Sequence, residues 1–384
     1  MVKKLAFLTI ASVCLFFFVP KFVGSHMNAL HPRELPVVSE AGSKIHRKLF
    51  TADMHADSLL WERDLLKRSN YGHVDLPRML AAKTGLQVFS VVTKTPRFLN
   101  FEHNDDSTDN ITLLAIAQRW PIRTWRSRTE RAVYQARRLH NLSARANGKF
   151  FVLTTKRSLE EYLQKRESGA SITAGLLAIE GMHALDGELE NLSRLYAIGY
   201  RMMGITHFFD NAFGGSAHGV VKGGLSRLGR NAVSEMERLG IIVDLAHGSP
   251  LLIAQVLEVA TQPVVVSHTG VKGTCDRTRN LDDEQLTSIA SNGGLVGIAF
   301  FSEAVCDVTV TSIAAAIRYT VDLIGINHVA LGSDFDGAVT TPFDIGGLAH
   351  LTDALLKDGF TQAEIAAIMG GNLVALLRRS LPSN

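Results

Sequence analysis

The sequence predicts an α/β fold, a single (β/α)8 barrel of the TIM type. Two observations lead there: short apolar runs, mostly rich in β-branched residues, alternate with segments of helical period, and eight such runs can be counted. Strands separated by helices imply βα units and a parallel sheet, and eight units favour a closed barrel over an open sheet. The chain has 384 residues, of which 46% are hydrophobic and 20% charged, enough for one large domain with a sizeable core. Forty Lys and Arg face 37 Asp and Glu, a formal net charge of +3. Much of the excess sits in the leader and in residues 119–145. No broad basic surface interleaved with aromatic residues appears, so no nucleic-acid partner is expected.

Lys3 and Lys4 precede an apolar run at 5–19, the pattern of an export signal. Fifteen helical residues span about 22 Å, short of the roughly 30 Å hydrocarbon layer, although Phe22 and Val23 extend the run. Residues 1–24 are therefore read as a signal peptide cut near 23–25, or as an uncleaved anchor with membrane association through residues 5–23. Either way the body is expected outside the cytoplasm, periplasmic or extracellular. Cys14 has no small residue before it and does not suit a lipoprotein box. Residues 25–48, with Pro32, Pro36, Gly42 and mixed charges, read as a linker, and 49–384 as the barrel domain.

The eight expected strands are 50–55, 86–92, 175–180, 202–207, 241–247, 263–268, 294–300 and 328–334. Helices are expected at 157–167, 188–198, 229–239, 250–260, 282–291, 311–324 and 361–369. Residues 94–149 interrupt the rhythm between the second and third strands. An insertion of that size beside a barrel mouth serves as a lid or a wall of the substrate pocket, or is a plain surface hairpin. Cys275 and Cys306 are the two cysteines of the body, a number that permits one disulfide after export; spacing does not settle their geometry.

Barrel chemistry is built at the C-terminal ends of the strands. Strand one ends in His55 and Asp57, which alternation places on one face. Strand three ends in Glu180, strand four in His207, strand five in His247, strand six in His268, and strand eight in Asp334 or Asp336. A His-x-Asp pair alone recurs by chance, but four of the fourteen histidines at strand ends, with carboxylates, form a donor set. Imidazole and carboxylate both suit zinc. His55, Asp57, Glu180, His247 and His268 exceed the three protein ligands that one catalytic zinc takes, and suffice for two Zn2+ per chain. With Glu180 bridging, one metal takes His55, Asp57 and Glu180, and the other Glu180, His247 and His268. Two metals about 3.5–4 Å apart share a hydroxide, bring its pKa toward about 7 and polarise a carbonyl, which points to hydrolysis.

The strings Asp53-Met-His-Ala-Asp57, Asp75-Leu-Pro77, Ala178-Ile-Glu-Gly-Met-His183, Thr206-His207, Asp244-Leu-Ala-His247, Ser267-His268, Arg279-Asn280, Gly332-Ser-Asp-Phe-Asp-Gly337 and Gly370-Gly-Asn372 run in one order over nearly the whole body. Together they resemble the membrane dipeptidase (renal dipeptidase) family, binuclear zinc peptidases among the amidohydrolase-type barrels. Ala56 stands where that family usually has Asn, which leaves both neighbouring ligands in place. The resemblance implies hydrolysis of dipeptides, with Glu180 as the bridging carboxylate and His55–Asp57 and His247–His268 as the two metal pairs. It implies a substrate-facing His207 that holds the carbonyl oxygen, an Arg279 that pairs with the substrate carboxylate, and an Asp334 that shuttles the proton. Asp336 is read as a supporting or turn residue, with a swap of the two aspartates left open. A Cys275–Cys306 disulfide and a homodimer are further implications. The same metal pair would serve a lactonase, a β-lactam hydrolase or an N-acyl amino acid deacylase. A non-catalytic surface binding protein is the remaining alternative, and against it no metal ligand is missing.

Overall fold

The computed structural model describes Phe16 and residues 19–383. Nine parallel strands form one sheet: β1 (Thr51–Ala56), β2 (Thr84–Phe89), β3 (Phe150–Val152), β4 (Thr173–Ile179), β5 (Tyr200–Gly204), β6 (Ile242–Asp244), β7 (Val265–Thr269), β8 (Leu295–Ile298) and β9 (Val329–Leu331). The order β2-β1-β9-β8-β7-β6-β5-β4 closes on itself because β2 pairs with β4, from Leu86 beside Ala174 to Phe89 beside Leu177. The eight strands expected from the sequence thus make a closed barrel in a single domain. β3 pairs with the first residues of β4, Phe150 beside Thr173, and stands outside that ring. It went unseen in the sequence because three residues are too few to show a period.

Every residue of β1, β2, β4 and β5 is buried, and β4, Thr-Ala-Gly-Leu-Leu-Ala-Ile, accordingly reads as a near-continuous apolar run. Met54, Leu86, Leu176, Met202, Val265 and Leu295 join in one apolar cluster inside the barrel. Their strand neighbours Phe89, Leu177, Met203, Val243 and Val296 meet the surrounding helices in another. Fully burying one such side chain stabilises by about 1.5–3 kcal/mol. The helices Lys156–Glu167, Arg227–Leu239, Pro250–Val259, Asp283–Ser291 and Val310–Ile324 fall within two residues of their expected bounds. Their starts are set locally: Ser249 caps a helix that opens with Pro250, and Asp282 and Gln285 form a capping box.

Other stretches differ from expectation, among them the helix expected at 188–198, which spans only Asn191–Ala197. The helix expected at 361–369 stops at Ala366 and passes through a wide turn, Ala367–Gly371, into Asn372–Ser380. There Gly370 lies so close to the start of β1 that an added Cβ would sit 2.3 Å from the Phe50 carbonyl oxygen. Asn372 Nδ2 donates to the carbonyls of Ile326 and Val329, each at 2.8 Å, and ties this turn to the start of β9. Within 25–48, Glu40–His46 is a helix whose Ser39 cap also donates to Asp353, on the helix Leu348–Lys357. That part of the stretch expected as a linker packs on the barrel wall.

Of the apolar run at 5–19, all but Phe16 and Val19 lies outside the described residues, as does Cys14. Residues 19–27 are helical. Among the described residues no helix is long and apolar enough to cross a membrane. The insertion carries the helices Asn110–Ala117 and Arg128–Arg145. Buried Arg131 ties it to the end of β2, donating to the Thr93 carbonyl at 2.6 Å and pairing with Asp109 at 2.6 Å.

Cys275 and Cys306 form a disulfide across 31 positions and join the loop after β7 to the turn after β8. Replacing both by Ser should cost about 3–4 kcal/mol by loop-entropy reasoning. Urea unfolding under oxidising conditions checks this, and unchanged midpoints would show that the two loops are held by packing alone.

Candidate metal centre

The donor residues gather where the strands give way to turns. His55 lies within β1 and His268 within β7, while Asp57, Glu180, His207, His247 and Asp334 follow their strands by one to three positions. Both in-strand histidines occupy breaks in strand register, between Asp53 and Ala56 in β1–β2 and between Val266 and Thr269 in β7–β8. Such irregularities re-aim side chains. Met54 faces the barrel interior and Ala56 the helices, so simple alternation fails at His55. His247 and Asp334 adopt left-handed backbone, φ 63° and 62°, a conformation that costs on the order of 1–3 kcal/mol for a non-glycine residue. Buried carboxylates hold these turns: Asp244 Oδ1 accepts from the amides of Ala246 (3.0 Å) and Ser267 (2.9 Å). Asp53 accepts from the amide and hydroxyl of Ser333, both at 2.7 Å.

Glu180 is the hub. Its Oε1 lies 2.9 Å from His247 Nε2, 3.3 Å from His268 Nε2 and 3.7 Å from His55 Nε2, and its Oε2 lies 3.2 Å from His207 Nε2. His55 Nε2 is also 3.6 Å from Asp57 Oδ1 and 3.9 Å from Asp334 Oδ1. Among the described residues three groups have donor atoms within 4.8 Å of one another: His55–Asp57–Glu180, Glu180–His207–His247 and His55–His268–Asp334. His55 Nε2 and Asp57 Oδ1 are buried without a hydrogen-bond partner, a cost of roughly 1–3 kcal/mol for each unpaired group. Two ligands each about 2.0–2.1 Å from a tetrahedral cation stand roughly 3.3 Å apart, close to these spacings. The donor set therefore fits divalent metal. His207 touches Glu180 as closely as the expected ligands His247 and His268 do.

Ser267 also takes part in the centre. Its hydroxyl sits 3.1 Å from His55 Nδ1 and 3.0 Å from His268 Nδ1. A partner at Nδ1 orients the ring and leaves Nε2 to face a metal. Only the adjacency to His268 hinted at it, since its contact with His55 spans 212 positions. The two aspartates after β9 are also separated. Asp334 faces the donor cluster, whereas Asp336 turns away to Arg63, to Ser58 Oγ (2.5 Å) and to the amide of His73 (2.8 Å).

Burial and the neighbouring Asp57 raise Glu180 well above the ordinary carboxylate range, and burial raises Asp334 to about 8. Burial holds His207, His247 and His268 well below the ordinary imidazole value, in the neutral form that ligates metal. For His55 burial also lowers the pKa, but Glu180, Asp57 and Asp334 outweigh it and raise the ring to about 10. Three carboxylates crowded away from water favour whatever brings positive charge, a proton or a metal.

A cavity of about 570 Å³ opens over this cluster. Asp57, Glu180, His207, Arg279 and Asp334 form its polar floor, and Leu99, Phe101, Ile111 and Leu114 of the insertion form an apolar wall. The insertion is thus part of the pocket and not a free hairpin. Arg279 is buried, donates from Nη2 to the His268 carbonyl, and leaves its Nε without a partner.

The family model described as membrane dipeptidase, peptidase family M19, matches residues 40–380. The chain belongs to the membrane dipeptidase family. The dipeptidase is 28% identical to dipeptidase aclJ of Aspergillus oryzae over 85% of this chain and 76% of that one. It is 27% identical to dipeptidase 3 of Macaca fascicularis over 80% of this chain and 64% of that one. Among solved structures it resembles dipeptidase AC, a metallopeptidase of family M19, with a TM-score of 0.72, 26% identity and coverage of 87% and 99%. A metallopeptidase from Rhodobacter sphaeroides, solved with a phosphinate mimic of the dipeptide L-Ala-D-Ala, gives 0.68, 25% identity and coverage of 86% and 99%. The chain is a metallo-dipeptidase by family, built on the family's barrel.

In the metal-free dipeptidase Asp334 titrates near 8 when folded, against an ordinary value of 3.8, so the folded chain holds a proton that the unfolded chain releases. Stability from this group is complete below pH about 4 and is lost as pH rises through about 8. Asp334→Asn stays neutral throughout. The stability difference should therefore move against wild type across that window in urea unfolding with chelator present, and a pH-independent difference would show an aspartate ionised throughout.

Proposed function

We propose that the protein hydrolyses dipeptides with two Zn2+ per chain, bridged by Glu180. The observation that carries this is a buried carboxylate surrounded by histidines, beside a buried guanidinium with an unpaired nitrogen, on the floor of a cavity large enough for a dipeptide. His55 and Asp57 would hold one metal, and His247 and His268 the other. When bound, the metals supply an activated water and polarise the scissile carbonyl. Asp334 takes the proton of the attacking water and delivers it to the leaving amine. His207, facing the same cavity, donates to the carbonyl oxygen as charge develops on it. Arg279, its fork steadied by the His268 carbonyl, offers its remaining donors to the substrate carboxylate. The dipeptide mimic bound by the Rhodobacter relative supports this substrate class. Export or tethering through the leader, and a homodimer, are carried by the family resemblance and the leader's composition.

Chelation should abolish turnover and zinc restore it, with metal analysis giving two per chain. His268→Ala should lose one equivalent, while His207→Ala keeps both and loses kcat; the reverse pattern would exchange their roles. For Arg279→Ala, KM should rise roughly a hundredfold for free dipeptides, as for a lost charge-assisted pair, and stay nearly constant for amidated ones. Equal losses on both would remove Arg279 from carboxylate recognition.

A further inference from the structure

The walls of the cavity include residues that the sequence assigns to the export leader. Phe16, Val19, Pro20 and Val23 line it, as does Met27 from the stretch expected as a linker, together with donor residues of the floor. Along the sequence they are spaced three, one, three and four apart, the spacing of one helix face, and Phe22 on the opposite side is 64% exposed. Val23 packs on an apolar cluster of Leu60, Trp61, Val92, Ile111, Ala115 and Trp120, which joins the loop after β1 to the insertion.

Polar contacts fix the segment where it leaves the cavity. Gly24 lies against the Trp61 ring so closely that an added Cβ would sit 2.9 Å from it. Asn28 is buried, donates from Nδ2 to the Gly24 carbonyl at 2.9 Å and accepts from the Ala338 amide at 2.9 Å. The His31 amide donates to the Thr341 carbonyl at 2.8 Å, and the Thr341 amide to the Ala29 carbonyl at 3.2 Å. His73 reaches the Ala29 carbonyl from Nε2 at 3.1 Å, while its Nδ1 accepts from the Asp336 amide at 2.9 Å. The segment is therefore built onto the loop that begins with Asp334. A leader discarded after export has no need of such fitting.

We propose that Phe16 and residues 19–27 are the roof of the substrate pocket and select dipeptides bearing a large apolar side chain. The floor is polar and takes the peptide bond and termini, so the substrate side chains rise toward Val19, Val23 and the insertion. A cut near 23–25, one of the two readings of the leader, falls inside this roof and would strip Phe16, Val19, Pro20 and Val23 from the wall. The working enzyme keeps them.

The selectivity rests on the dipeptidase reading; the roof does not. With the full zinc-loaded chain, kcat/KM is measured for Ala-Ala and Leu-Leu in wild type and in Val19→Ser/Val23→Ser. The double variant should lose roughly tenfold or more on Leu-Leu and stay within about twofold on Ala-Ala, in line with the worth of pocket methyl groups. Equal losses, or none, overturn the selectivity. Hydrogen exchange on the same chain judges the roof without turnover: amides of 23–28 and of His31 should be protected in wild type and lose that protection in Gly24→Leu, with barrel amides unchanged. An unprotected segment in wild type, or a mature chain that begins after residue 24, overturns the roof. A chain inert on every dipeptide with 23–28 and His31 protected would remove the dipeptidase reading and the selectivity while supporting the roof.

Discussion

The structure depends on an electrostatic conflict kept out of water. Asp57, Glu180 and Asp334 converge within a few ångströms of His55, and each isolated buried charge would cost several kcal/mol. Without a cation the cluster answers by holding protons, which is why Glu180 and Asp334 are raised and His55 with them. A divalent metal relieves the same repulsion without those protons. The centre is thus a place where metal binding and protonation compete for one set of oxygens and nitrogens.

The barrel supplies the stiffness that this requires. Breaks in register at His55 and His268, and left-handed backbone at His247 and Asp334, are unfavourable taken alone. They persist because Asp53 and Asp244, both buried, accept hydrogen bonds from the turns that follow β9 and β6. Ser267 couples His55 to His268 through one hydroxyl. The backbone at Gly332 passes so near Ser267 that an added Cβ would lie 1.9 Å from its carbonyl oxygen, which leaves little freedom to move either strand.

Above the polar floor, the pocket is made by parts of the chain that do not belong to the βα repeat. The insertion provides an apolar wall anchored by Arg131, and the N-terminal segment provides the side nearest Trp61. The disulfide joins the loop carrying Arg279 to the turn after β8. Floor chemistry and wall shape therefore rest on separate structural devices, and a change in one need not disturb the other.

Much of this was legible along the chain, because helix period, capping residues and strand-end chemistry are local signals. The eight barrel strands, most helix bounds and the residues from His55 to Asp334 could be read that way. The three-residue β3, the wide turn at Ala367–Gly371 and the helix Glu40–His46 could not, being too short or dependent on what they pack against. Nor could local order separate Asp334 from Asp336, two positions apart and alike in chemistry; Arg63 and His73, more than 260 positions away, claim the second. The roles of Ser267 and of the leader-side residues Val19 and Val23 belong to the same class. Residue types and their order determined which chemistry the protein holds, since donor atoms are a property of side chains. Tertiary structure alone decided which donors share a centre and what roofs it, since those are distances between segments that sequence spacing does not contain.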